Sequence, residues 1–179
     1  KKPARARAVI LALGGGSRPR LGSDASWVPL LQDRGVGLSP LKPANCGFNV
    51  AWSDHFRHRF SGSPVKPVAL TVTRPDGSVF RKKGEMIVTE HGVEGGLVYG
   101  LSAVLRDRIE AMGPTIVTLD LVPDRSLNNL ALRLARPRGS RSLSSHLEKT
   151  AGIKGVKADL VRECVSPETL SDMVRLAQA

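Results

Sequence analysis

Apolar residues form an unbroken run near the start of the chain. Residues 8–13 read AVILAL, which is typical of a β-strand covered on both faces inside an α/β sheet. Three glycines follow at 14–16, and apolar positions then recur at helical spacing in residues 23–35, SDASWVPLLQDRG. The pattern predicts a strand, a glycine turn and a short helix capped by Ser23 or Asp24.

Proline and glycine divide the middle of the chain into short apolar segments. VALTVT at 68–73 and SVFRKKGEMIVT at 78–89 flank Asp76 and Gly77, which predicts a hairpin with a tight turn. Several strands at such spacing are typical of a small barrel or sandwich. A further strand is predicted in TIVTLDLVP, where Pro123 stops it.

Two regions show a helical period. Residues 97–109 carry five apolar residues on one stripe, which predicts one long helix that ends at Gly113. The last third is predicted to be helical, with Ser126 and Ser166 as N-caps. The last predicted helix has an apolar face made of Leu170, Met173, Val174 and Ala177.

Charge is concentrated in the first half of the chain. The net charge is +11, and residues 1–83 hold 15 Lys or Arg against 4 Asp or Glu, whereas residues 84–179 hold 12 of each. This excess is compatible with a nucleic-acid partner. With two Trp, one Tyr and four Phe, the chain has few rings on which bases could stack, which weakens that interpretation.

The cysteines and histidines give little sign of a metal site. Cys46 and Cys164 lack CxxC spacing, so we expect buried free thiols in a cytoplasmic protein. His55 and His58 are too sparse for a metal site, and none is predicted. The apolar run is too short to span a membrane, and no membrane partner is expected.

Three stretches could bind a ligand, each with a plainer alternative. GGGSRPRLG contains neither GxGxxG nor GK[ST], so it is either a close approach to a ligand or a tight turn. Arg136, Arg138 and Arg141 surround a Gly-Ser turn that suits phosphate or carboxylate, or simply form a solvated loop. His91, at an expected strand-to-helix junction, is either a general acid or a turn residue.

Five segments resemble one family in the same order. They are AVILALGGGSRPRLGSD, LSPLKPANCGF, KGEMIVTEHGVEGGLVYGLSA, LDLVPD and ARPRGSRSL. Together they span roughly residues 6–165 and resemble the bacterial FAD-dependent oxidoreductases of the BaiN and aminoacetone oxidase type. In that family, a Rossmann-like FAD domain is interrupted by a small β-barrel and a helical subdomain.

The resemblance implies an α+β chain with three parts. Residues 1–40 would be a strand-turn-helix remnant of the FAD domain, 41–123 a β-barrel with one long helix, and 124–179 a helical subdomain. The cofactor would be FAD, lined by Gly14 and Gly15 from the resemblance and by Gly16 and Ser17 from adjacency. Leu13 stands where the family usually has threonine.

The family's other FAD-binding motifs, an N-terminal GxGxxG and a C-terminal glycine-rich segment, do not occur in the chain. We therefore expect a fragment that neither holds FAD tightly nor acts alone, and whose partners are the rest of the FAD domain and a small-molecule substrate. It would cover the flavin and shape the substrate pocket, with no assigned catalytic residue. A basic nucleic-acid-binding barrel and a purely structural domain are the alternatives.

Overall fold

The computed structural model describes residues 3, 5–74 and 76–171. The chain divides into two compact units, Lys1–Pro43 and Ala44–Ala179. Each unit is described by itself below.

The first unit contains the predicted short helix but not the predicted strand. Helix α1 spans Trp27–Gln32 and has Ser26 at its N-cap position, so the predicted cap at Ser23 or Asp24 was wrong. The Asp24 carboxylate instead accepts the Ser26 N–H at 3.0 Å, just before the helix. Residues 8–13 form no strand, and Ile10 is 90% exposed. The predicted strand is absent from this structure because a strand needs a neighbour for its backbone groups, and the described residues of this unit supply none.

The second unit is built on a five-stranded antiparallel sheet with strand order β1-β4-β3-β2-β5. The strands are β1 Phe48–Asn49, β2 Pro64–Thr73, β3 Val79–Thr89, β4 Gly92–Glu94 and β5 Thr118–Asp120. The predicted hairpin is confirmed, since β2 pairs with β3 and Asp76 Oδ1 accepts the Ser78 N–H at 2.8 Å in the turn. Gly77 takes the left-handed conformation that this turn requires. Strand β5 is shorter than predicted because it pairs with β2 over three residues only.

The main core lies on one face of this sheet. Buried side chains of β2 and β3 pack against helix α2, Asp54–Phe60. They also pack against apolar side chains of residues 97–105, in the helical segment between β4 and β5. The core residues that are at most 2% exposed are Phe56, Val65, Val68, Val72, Met86, Val88, Leu97, Val98 and Leu101.

The helix predicted over residues 97–109 is divided in two. Helix α3 spans Gly96–Tyr99 and α4 spans Ser102–Met112, ending at Gly113 as predicted. The Ser102 hydroxyl accepts the Cys46 N–H at 3.1 Å and donates to the Cys46 carbonyl at 3.0 Å, which fixes the start of α4 against the chain before β1. Apolar spacing alone carried no signal of this polar contact.

The last third is helical, as predicted. The helices are α5 Leu127–Leu134, α6 Leu143–Ala151, α7 Val156–Cys164 and α8 Pro167–Ser171. The hydroxyls of Ser126, Ser142 and Ser166 cap α5, α6 and α8 by accepting backbone N–H groups. Met173, Val174 and Ala177 lie outside the described residues. A second core forms among these helices around Leu134 and Leu147, each 1% exposed.

One lysine connects the last helices to the sheet. Lys157 Nζ, at the start of α7, donates to the carbonyl oxygens of Pro67 and Leu121, both at 2.6 Å. Burial lowers the pKa of this ammonium, and the carboxylates of Asp120 and Asp124 counteract the shift. The two hydrogen bonds thus hold a charged group at this junction.

Both cysteines are free thiols, as predicted, but neither is fully buried: Cys46 is half-buried and Cys164 is exposed. We expected burial because cysteine is among the most often buried residue types. Cys164 is the last residue of α7, however, and lies at the surface. In the part of the chain that the structure describes, no helix has both the length and the apolar character that a membrane span requires.

Candidate functional site

The glycine loop at residues 14–17 folds back on the start of α1. The Trp27 indole Nε1–H donates to the Gly14 carbonyl at 3.1 Å, and the Ala25 N–H donates to the Gly15 carbonyl at 3.2 Å. Gly14 has a φ of 73°, a left-handed conformation that favours glycine. Two carbonyl groups of the loop are therefore occupied inside the first unit.

The N–H groups of the same loop are free. Among the described residues, the backbone N–H groups of Gly14, Gly15, Gly16 and Ser17 have no hydrogen-bond partner, and all four residues are exposed. A run of unpaired backbone donors is the arrangement that binds phosphate and carbonyl oxygens in glycine-rich loops. The loop can therefore act as a hydrogen-bond donor toward a ligand.

Gly15 and Gly16 differ in how much space a side chain would find at each position. A Cβ on Gly16 would lie 3.0 Å from the Ala25 Cβ, which is a tight contact, so packing within the unit favours glycine at this position. A Cβ on Gly15 would meet only the Ser23 hydroxyl, at an ordinary 3.8 Å. Internal packing therefore explains Gly16 but not Gly15, whose bare backbone leaves room for an approaching ligand.

His91 lies elsewhere than predicted. It occupies the two-residue turn between β3 and β4, one residue before Gly92, and not a strand-to-helix junction. The junction prediction was wrong because the three-residue strand β4 is too short to give an alternating pattern. The His91 carbonyl accepts the Val50 N–H at 2.9 Å, and the imidazole is exposed at a cleft.

The three arginines around the Gly-Ser turn lie in the loop between α5 and α6. Arg136, Arg138 and Arg141 are exposed, and their guanidinium groups have no hydrogen-bond or ion-pair partner among the described residues. No second feature of the described structure marks this loop as a ligand site, so the solvated-loop interpretation suffices for it.

The basic residues of the sheet are largely neutralised. Arg81 pairs with Asp120 at 2.8 Å, Lys83 pairs with Asp124, and Lys66 pairs with Glu85 at 3.2 Å. A nucleic-acid surface on these strands would need cations that face a phosphate backbone without acidic neighbours. These ion pairs therefore argue that the strands do not form a nucleic-acid-binding surface.

The sequence interpretation overlooked His146 on α6. Its side chain is completely buried, and its Nε2 lies 2.9 Å from the Leu134 carbonyl, the last residue of α5. Because a carbonyl can only accept, Nε2 is the donor. The signal was present in the sequence, since His146 shares the buried helix face with Leu143, Leu147 and Thr150. Its role is structural, because it ties two helices together inside the second core.

The described residues contain no group of three or more His, Cys, Asp or Glu side chains that could hold a metal ion. His55 and His58 are exposed on α2.

Comparison with known proteins identifies the family. A family model described as the HI0933-like protein barrel and H2TH domain matches residues 42–178, well over half of the chain. No curated protein matches the chain. The match begins close to the boundary between the two units, and the glycine loop lies before it. The predicted α+β class, a small barrel followed by helices, is thereby confirmed.

Proposed function

Since the chain belongs to the HI0933-like family of FAD-dependent flavoproteins, we propose that it is the insert module of a flavoprotein oxidoreductase, together with one wall of the FAD site. The barrel and helices would cover the flavin and shape the pocket for a small-molecule substrate. Bound FAD would supply the electron-transfer chemistry, while the protein would position the cofactor and exclude water.

The glycine loop is the observation that carries this proposal. Residues 14–17 offer four unpaired N–H groups, and FAD carries carbonyl, ring-nitrogen and phosphate acceptors. Gly15 has no internal reason to lack a side chain, so its backbone can come close to a cofactor. The residues fit one wall of a flavin site. The sequence offers no second glycine-rich nucleotide motif to grip the pyrophosphate.

The apolar run before the loop supports the same proposal. Val9, Ile10 and Leu11 are 61–90% exposed, and residues 8–13 have no strand partner among the described residues. Such a segment becomes stable when it joins a sheet that covers both of its faces. We propose that the rest of an FAD-binding domain supplies that sheet, which would place the glycine loop beside the cofactor.

Gly15→Val in the full-length flavoprotein tests this proposal. We expect the flavin bound per protein, measured by absorbance near 450 nm, to fall about tenfold, because the added side chain keeps FAD from the backbone donors. Gly37→Val is the matched control, since a Cβ on Gly37 meets nothing within 4 Å, and it should retain the wild-type flavin content. Wild-type flavin content in Gly15→Val would contradict the assignment of the loop.

A further inference from the structure

The second unit contains a cleft that the proposed flavin site does not use. It has a volume of about 560 Å³ and lies where the β3–β4 turn faces the chain between β1 and α2. Its polar lining consists of Asn49, Trp52, Arg57, Glu90 and His91. A cation, a carboxylate, an imidazole and an indole thus line one open cleft.

The walls of this cleft are held in place by backbone contacts. The Val50 N–H donates to the His91 carbonyl at 2.9 Å, and the Trp52 indole Nε1–H donates to the Gly92 carbonyl at 3.0 Å. The Trp52 ring also packs on Phe56, with 4.9 Å between ring centroids, and Phe56 is 1% exposed. The cleft is therefore preformed, which lowers the entropy cost of binding a ligand.

Arg57 is incompletely paired in this wall. One terminal nitrogen, Nη2, lies 2.8 Å from Asp54 Oδ1, but the Asp54 side chain is 84% exposed, so this pair adds little. Its Nε is buried and has no partner among the described residues. A buried charged donor without an acceptor is costly, and the missing acceptor is often a ligand or a water. The Arg57 side chain lines the cleft and is 34% exposed, so its guanidinium group is accessible to a ligand there.

Glu90 determines what kind of acceptor would fit. It also lines the cleft, is exposed and forms no ion pair among the described residues, so its charge would repel a simple anion there. A carboxylate matches the planar edge of arginine, whereas a cationic or hydrogen-bond-donating group matches Glu90. A ligand that carries both a carboxylate and a cationic or donor group would match both Arg57 and Glu90.

We propose that this cleft binds a small zwitterion, with its carboxylate on Arg57 and its ammonium group on Glu90. The Trp52 ring, whose indole N–H is already bound to the Gly92 carbonyl, also lines the cleft. The proposal does not depend on the flavin site, because every residue involved lies within Asn49–His91 of the second unit.

Titration of the 179-residue chain with glycine, 4-aminobutyrate and 6-aminohexanoate tests the proposal by NMR. The Trp52 indole N–H is the reporter, and Trp27→Phe assigns its resonance. We expect saturable shifts at millimolar concentration with at least one of the three probes. The amine and the carboxylic acid that match the best probe, each lacking its other charged end, should bind at least fivefold more weakly.

Two variants assign the ends of the ligand. Arg57→Met should weaken the best probe at least tenfold. Glu90→Gln should weaken it as well, yet strengthen the matched carboxylic acid, because a repulsive charge is lost. Glu90 is exposed, so Glu90→Gln keeps the test decisive even if Arg57→Met fails to fold. No saturable shift with any of the three probes up to about 50 mM, or unchanged binding in Glu90→Gln, would overturn the proposal.

Discussion

Replacing Gly92 by alanine is expected to lower the free energy of unfolding by about 3 kcal/mol or more, as for severe overpacking in a core. The new Cβ would lie 2.0 Å from the Phe48 carbonyl oxygen and 2.8 Å from both Asn49 Cα and Val50 N. All three are backbone atoms, so no side chain can move aside. Gly92 pairs directly with Asn49, and the clash can be relieved only by separating β1 from β4.

Chemical denaturation of the purified chain measures this effect. Gly96→Ala is the matched control, because a Cβ there meets nothing within 4 Å and the residue begins helix α3. That control should be neutral, or stabilising by up to about 1 kcal/mol, since alanine favours helix over glycine. A free energy of unfolding for Gly92→Ala within about 0.5 kcal/mol of wild type would refute the close pairing of β1 and β4 at this residue.

His146→Ala is expected to destabilise the helical region by about 3 kcal/mol. The substitution removes a completely buried side chain from between two helices and leaves a cavity in the second core. It also removes the donor that satisfies the Leu134 carbonyl, where α5 ends. The lost packing and the unsatisfied buried acceptor both lower the free energy of unfolding.

His58→Ala provides the comparison for this effect, since His58 is exposed on the short helix α2. Thermal unfolding followed by circular dichroism at 222 nm should show a large fall in Tm for His146→Ala and little change for His58→Ala. Equal effects of the two substitutions would show that His146 does not connect α5 to α6.

Local signals in the sequence were sufficient for much of the second unit. The Asp76-Gly77 turn predicted the β2–β3 hairpin, and the caps Ser126 and Ser166 predicted the starts of α5 and α8, because these contacts join residues only a few positions apart. The break between α3 and α4 was not predicted, although Gly100 stands at it. The break is accompanied by a hydrogen bond between Ser102 and Cys46, which are 56 positions apart and share no local pattern.

The candidate site was predictable only in outline. Sequence reasoning selected Gly14, Gly15, Gly16 and Ser17 together, but packing against Ala25 separates Gly16 from Gly15. The run at 8–13 has the composition of a strand, yet composition cannot show whether a neighbouring strand exists. His91 was predicted at a strand-to-helix junction but lies in a turn, because the three-residue strand β4 is too short to show an alternating pattern in the sequence.

A titration of the isotopically labelled 179-residue chain with FAD tests the shared FAD site most directly. We predict weak binding that does not saturate at about 0.1 mM FAD, and amide shifts concentrated at Gly14, Gly15, Gly16 and Ser17. Gel filtration should then yield protein without a flavin absorbance band. A nearly stoichiometric flavin band, or amide shifts that leave residues 14–17 unchanged, would contradict the claim that this chain provides one wall of a shared FAD site.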